Sequence, residues 1–311
     1  MTNHHSPGDV IPFDWAPASR AGGHSLRRRC LSAAARLCPA ATARLLARRY
    51  LTPSGSFIAG AETDPGFAIV PVGRQVLLRF DGVARPAPAR RLLIVPGHNG
   101  HVRQFGRLLR RLRETGASVD LLVLPGHLGP KPRLCSFGAI VGAVREVGAH
   151  DGPYDAVIAH CVGCNASLLA MEDVPLAKKL VFLSAPLTLP NLVRFAGRQY
   201  GLRRRCLARF VAQVSRLGAP YPIDIPWQPL AARRSEPLLV IHARNDYAVP
   251  VSDVAGIGAT WPGARLALLD TGDHNTILGQ RGAIDRILAF LQERPAPGTP
   301  AAKSGQVSEM Q

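Results

Sequence analysis

Apolar positions along this chain fall into short continuous runs rather than a strict in–out alternation. Seven such runs, rich in β-branched residues, occur at "QVLLRF" (75–80), "RLLIVPG" (91–97), "SVDLLVLPG" (118–126), "YDAVIAH" (154–160), "KLVFLSAP" (179–186), "PLLVIHA" (237–243) and "ARLALLD" (264–270). Segments with helical spacing, such as "FGRLLRRLRETG" and "FGAIVGAVREVG", separate most of them. Apolar strands bounded by helices predict a mostly parallel sheet covered on both faces, the arrangement in which each strand is buried on both sides. Such sheets bind ligands beyond the carboxyl ends of their strands.

One interval departs from that rhythm. About fifty residues, from Leu187 to Arg234, separate two strands; "LVRFAGRQYGLRRRCLARFVAQVSRLG" is helical in pattern and "APYPIDIPWQPL" is proline-rich and irregular. A crossover needs far fewer residues, so a helical cap over the strand ends is expected at about 187–235. Upstream, "HSLRRRCLSAAARLCPAATARLLARRYL" predicts a basic helical extension within 26–70 whose leucines and alanines form one apolar face, packed on the main domain or turned to an acidic surface, with packing the favoured reading. Residues 1–25 read as a disordered arm and 294–311 as a disordered tail, leaving one α/β domain at 71–293.

The chain has 311 residues, of which 47% are hydrophobic, enough for one large core. Its 38 basic residues outnumber 21 acidic ones, and only Lys131, Lys178, Lys179 and Lys303 are lysines. An arginine excess on a background of Ala, Gly and Pro reads as a compositional habit; the functional alternative is a field that draws an anionic partner such as a nucleic acid, a membrane or a phosphate-bearing acyl carrier. No aromatic-studded basic strip or nucleic-acid module accompanies the charge, so nucleic acid is not expected as a partner. The cap arginines Arg203 to Arg205 and Arg209 read as a solvated face rather than an anion site. The six cysteines (Cys30, Cys38, Cys135, Cys161, Cys164, Cys206) show no metal-ligand or disulfide spacing, and reduced thiols in a cytoplasm are expected. No apolar run approaches the roughly 18 residues of a membrane helix, and Arg36 and Pro39 interrupt "LSAAARLCPAA", the nearest approach to a signal sequence.

The chemistry turns on "AHCVGC", Ala159 to Cys164. As C-x-x-C it is a redox or metal pair. As small-x-nucleophile-x-small it is a nucleophile elbow with cysteine in place of serine: Ala159 and Gly163 are small enough for strand and helix to pass closely, with Cys161 between "DAVIA" and a helical "NASLLAMED". An elbow needs an acid and a histidine later in the chain. Asp246 in "RNDYAVP" and His274 in "GDHNTIL" follow in that order, each just past a strand. Asp270 and Asp273 compete with Asp246; Asp273 adjoins His274 and would orient that ring poorly. Cys164 reads as a small filler residue, and His127 and His242 as structural.

With "VPGHNG" in the place of an oxyanion loop and "VLPGHLG" similar to a "PGHG" turn, residues from about Gln75 to Leu291 resemble the α/β-hydrolase superfamily, and in particular bacterial members without an assigned activity that carry a basic helical extension and a short cap. Cys161 departs from the serine most of them carry; cysteine nucleophiles in this fold are similar to those of dienelactone hydrolases and polyhydroxyalkanoate synthases, whose lengths and flanking segments do not match. The resemblance implies an oxyanion hole from the backbone N–H groups of His98 and Val162; the sequence carries no phosphate loop, metal cluster or dinucleotide fingerprint, so no cofactor and no metal are expected. It implies a hydrolase (thioesterase or esterase) or acyltransferase, with Cys161, Asp246 and His274 as its catalytic triad. A thiolate exchanges readily with thioesters but expels poor leaving groups slowly, so thioesters or activated lactones are expected, the acyl group free or carried on coenzyme A or an acidic acyl carrier protein. The alternatives are a thiol redox protein using Cys161 and Cys164, and a non-catalytic binding protein on a hydrolase scaffold.

Overall fold

The computed structural model describes residues 26–59, 66–83, 90–129 and 131–293. The expected arm at 1–25 and tail at 294–311 lie outside the described residues. Eight strands form one sheet in the order β1-β2-β4-β3-β5-β6-β7-β8. They are β1 (Ala68–Val72), β2 (Gln75–Phe80), β3 (Arg91–Val95), β4 (Ser118–Val123), β5 (Ala156–His160), β6 (Leu180–Leu183), β7 (Leu238–Ala243) and β8 (Ala264–Leu269). β3 to β8 run parallel, while β2 pairs antiparallel with β4 and β1 antiparallel with β2.

The seven apolar runs are β2 to β8. β5, β6 and β7 are buried at every residue, which explains why their sequences are continuously apolar. Sequence patterning misses β1, "AIVPV", because this edge strand is largely exposed and carries Pro71, a residue tolerated only where no ladder bond is required of its nitrogen. Two clusters cover the two faces of the sheet. α3 (Gly106–Glu114) and α10 (Arg281–Gln292) pack on one; α4 (Phe137–Asp151), started by the Ser136 side chain accepting from Ala139 N at 3.3 Å, and α5 (Val162–Ala170) pack on the other.

β4 holds a charge in its buried middle. Asp120 is 3% exposed, and its register partner Arg79 on β2 grips it with two bonds, Nε to Oδ1 at 2.7 Å and Nη2 to Oδ2 at 3.0 Å. The Tyr154 hydroxyl donates to the same carboxylate at 3.3 Å, and the Arg91 guanidinium lies 5.0 Å from the centre of the Tyr154 ring. Arg79→Met therefore strands a buried carboxylate and is expected to lower stability by about 3 kcal/mol, read as a lower denaturant midpoint at unchanged slope. An unchanged midpoint would show that Tyr154 and Arg91 suffice to hold Asp120.

Three helices lie between β6 and β7: α6 (Leu189–Gln199), α7 (Arg204–Leu217) and α8 (Trp227–Ala232). The single helical pattern read across 192–218 is two helices, separated at Gly201, whose φ of +77° ends α6. The basic extension is likewise two helices, α1 (Leu26–Leu37) and α2 (Pro39–Leu51), with Pro39 opening the second. α2 buries Ala43, Leu46, Ala47 and Leu51 and packs on α7. Tyr50 meets Phe210 edge-on at 5.7 Å, and the Cys206 thiol donates to Pro39 O at 3.6 Å.

Candidate active site

Cys161 sits between the end of β5 and the start of α5 with φ +52° and ψ −130°, a left-handed backbone that costs a non-glycine residue about 1–3 kcal/mol. Its N–H donates to Leu183 O at 3.0 Å, tying the turn to β6. The small residues around it are demanded by contact. Ala159 is fully buried, and a Cβ on Gly163 would lie 2.7 Å from Val95 O and 2.8 Å from Pro96 O. Gly97 is as tightly placed, with a Cβ there falling 2.9 Å from Cys161 Cβ. Gly163→Ala is thus expected to push α5 away from the end of β3 and cost about 1–3 kcal/mol of stability. Thermal unfolding checks this, and a wild-type midpoint would show that the β3 end yields freely.

Asp246 and His274 meet across the loops after β7 and β8. His274 Nδ1 is 3.0 Å and 3.1 Å from the two Asp246 oxygens, and Asp246 Oδ1 also accepts from Ala248 N at 2.9 Å and Val249 N at 2.8 Å. Burial works against the Asp246 carboxylate, but His274 and these two N–H groups outweigh it and hold its pKa below the usual value. Cys161 stands beside this ring, and the two line the same cavity. Burial opposes charge on His274, yet Cys161 and Asp246 together push its pKa up to about 10. The rival carboxylates are engaged elsewhere. Asp273 accepts from Asn275 N, Thr276 N and Thr276 Oγ1, and Asp270, at the surface, pairs with Arg244 at 2.9 Å.

Three further histidines brace this arrangement. His160 Nε2 donates to the backbone carbonyl of His274 at 2.8 Å, joining elbow to histidine loop; burial, then the neighbouring His274, pushes its pKa down to about 3. His242 Nε2 donates to Val249 O at 2.9 Å and steadies the Asp246 loop. His127 donates from Nδ1 to Pro125 O at 3.0 Å, so its Nε2 is free to accept from Asn99 N, also at 3.0 Å. His242 thus ties down the loop after β7, and His127 the "VPGHNG" loop.

That loop is held by the N-terminal extension as well. Asn99, at φ +64°, accepts on Oδ1 from Ser54 N at 2.7 Å and Ser54 Oγ at 3.1 Å. The His98 ring stacks on Tyr50 and donates from Nε2 to Leu51 O at 3.3 Å; burial, with His127 adding to it, pushes its pKa down to about 3. Among the described residues neither the His98 nor the Val162 N–H has a hydrogen-bond partner. Both residues line the cavity onto which Cys161 opens.

This cavity is bounded by Tyr50 and Leu51 of the extension, Leu189, Leu192 and Val193 of α6, and Val214 of α7. Its lining also includes Cys161, His274 and Asn275, whose Nδ2 donates to the Tyr247 hydroxyl at 2.7 Å. Cys164 is turned away: its thiol donates to Ala159 O at 3.3 Å, and burial, with Cys161 adding to it, raises its pKa well above the ordinary value. Among the described residues no group of three or more His, Cys, Asp or Glu side chains could hold a metal ion.

No protein-family model matches the sequence, and no curated protein matches it. Solved structures do match. An α/β-hydrolase enzyme from the metagenome of sediments from the lagoon of Mar Chica, Morocco, is 18% identical with a TM-score of 0.52, over 72% of this chain and 96% of that one. A Pyrococcus furiosus esterase is 16% identical with a TM-score of 0.55, over 73% and 90%. A membrane phospholipase A described as a bacterial virulence factor is 16% identical with a TM-score of 0.54, over 85% and 94%. Such identities carry architecture alone, and the architecture of this chain is the α/β-hydrolase fold.

Proposed function

We propose that the protein is a hydrolase or acyltransferase that acts on acyl thioesters or activated esters by covalent catalysis at Cys161. The observation that carries this reading is the Asp246 carboxylate bonded to the His274 ring, with Cys161 beside that ring and both His274 and Cys161 lining a mostly apolar cavity. Esterases and a phospholipase among the structural neighbours support hydrolytic chemistry in general.

In the first half-reaction the Cys161 sulfur attacks the acyl carbonyl, the carbonyl oxygen becomes an oxyanion facing the His98 and Val162 N–H groups, and the leaving thiolate or alkoxide departs with the proton held by His274. A thioester exchanged for a thioester is nearly balanced in energy, which is why thioesters suit a sulfur nucleophile. Acylation ties up the Cys161 sulfur, and with it goes the largest influence raising the His274 pKa. Burial then favours the neutral imidazole, which accepts a proton from the attacking water, alcohol or amine in the second half-reaction. The ring thus changes from proton donor to base once its proton has gone to the leaving group.

Lined by aliphatic side chains, the cavity suits an apolar acyl chain, with coenzyme A or an acidic carrier protein as its source. A redox role for Cys161 and Cys164 fits less well, because the Cys164 thiol is fully buried and bonded to Ala159 O. A binding scaffold without catalysis leaves the Asp246–His274 pairing unexplained. The test is intact mass after incubation with a panel of acyl thioesters and activated esters. An acyl adduct mapping to Cys161 supports the reading, and product analysis with water or added acceptors separates hydrolase from transferase. No adduct and no turnover, with Cys161 inert to mild alkylation, would overturn it.

A further inference from the structure

The positive charge of this chain is concentrated in space. Residues 26–51 contain seven arginines and residues 189–217 contain seven more, and neither segment contains an aspartate or glutamate; all 21 acidic residues lie elsewhere. These segments, far apart in sequence, form α1, α2, α6 and α7, and these helices pack in succession, α1 on α2, α2 on α7 and α7 on α6. Eleven of these arginines, Arg36, Arg44, Arg48 and Arg49 with the seven of residues 189–217, therefore lie on one helical layer of a chain whose net charge is +17.

The outward side of that layer is not only basic. On α2 the buried face is Ala43, Leu46, Ala47 and Leu51, and the exposed positions Ala41, Arg44, Leu45 and Arg48 follow the spacing i, i+3, i+4, i+7. Leu45 is 67% exposed between Arg44 and Arg48, and Leu37, next to Arg36 at the end of α1, is 82% exposed. On α7 the arginines Arg205 and Arg209 are exposed as well. An arginine field alone suits any polyanion. Leucines set among the arginines suit one whose charged surface covers an apolar interior.

We propose that the outer face of α1, α2 and α7 docks on an anionic lipid bilayer, the arginines on lipid phosphates and Leu37 and Leu45 in the boundary between headgroups and acyl chains. Among the described residues no helix is long and apolar enough to cross a membrane, so the contact is peripheral. The same helical layer supplies Leu51, Leu192, Val193 and Val214 to the wall of the apolar cavity, which places the cavity under the docked face. The inference rests on charge and exposure and stands independently of any chemistry at Cys161.

The test is co-sedimentation of the full chain with vesicles of phosphatidylcholine alone and of phosphatidylcholine mixed with phosphatidylglycerol. The expected result is binding to the anionic vesicles only, weakening as salt rises. Each arginine near such a surface contributes roughly fivefold, so Arg44→Gln/Arg48→Gln is expected to weaken binding roughly 30-fold. Leu37→Ser/Leu45→Ser is expected to weaken it about tenfold with its salt dependence unchanged. All four positions are exposed, and unchanged thermal unfolding verifies that the variants fold. Equal binding to both vesicles, or binding to neither, overturns the proposal. So does a leucine variant that binds anionic vesicles as wild type does, which makes the face a site for soluble polyanions such as nucleic acid or an acidic protein.

Discussion

Cys161→Ala is expected to abolish the acyl adduct and to reduce turnover of a responsive thioester by about 10⁴- to 10⁶-fold, the range seen when a covalent nucleophile is removed and only the oxyanion donors and binding remain. Alanine introduces no clash at a position where Gly97 already approaches within contact of the side chain, so the folded structure is expected to persist and the loss to be chemical. Cys161→Ser separates two parts of the mechanism. A hydroxyl depends on His274 to remove its proton during attack, whereas a thiol, the more acidic and more nucleophilic group, depends on it less. The serine variant is therefore expected to lose most of its activity toward thioesters and to retain more of it toward activated esters. The check is steady-state kinetics with matched acyl thioester and ester substrates, alongside intact mass. Turnover by Cys161→Ala equal to wild type, or an adduct mapping to another residue, would remove Cys161 from the chemistry.

Much of this arrangement is legible in the sequence because it is local. β2 to β7 show as apolar runs since each is buried on at least one face, and β8 since it is partly covered; Cys161, Asp246 and His274 show because each follows such a run within a short recognisable loop. β1 leaves no such signal; Pro71 and its exposed neighbours read as loop. What the sequence does not disclose is pairing over distance. His160 holds the carbonyl of a residue 114 positions away, His127 accepts from Asn99, and Ser54 fixes Asn99 from the extension, and nothing in the local pattern of any of these residues names its partner. The arginines carry the same lesson. Counted along the chain they read as composition; with α2 packed on α7 two acid-free segments become one layer.

His274→Ala is expected to lower turnover by about 10²- to 10⁴-fold, the usual range for a positioned acid–base group, and to change how Cys161 responds to pH. The direction follows from the charges around the ring. Burial opposes protonation of His274, but Cys161 and Asp246 hold its pKa at about 10, above the 6.5 of an unperturbed histidine. A folded-state value above the unfolded one means that the ring's contribution to stability is fully present below pH 6.5 and is lost as pH rises through about 10. The stability difference between wild type and His274→Ala should accordingly shrink from neutral to alkaline pH, as denaturant midpoints at several pH values would record. Reactivity should follow the same course. With a protonated imidazole beside the sulfur, wild-type Cys161 should alkylate with iodoacetamide faster than the variant near neutrality, and the two rates should converge as the ring deprotonates around pH 10. Asp246→Asn removes the carboxylate that shares in holding the proton on the ring, so its alkylation profile should fall between the two. Profiles that coincide across the whole range would show that the ring does not govern the thiol, and would leave His274 a neighbour of Cys161 rather than its proton partner.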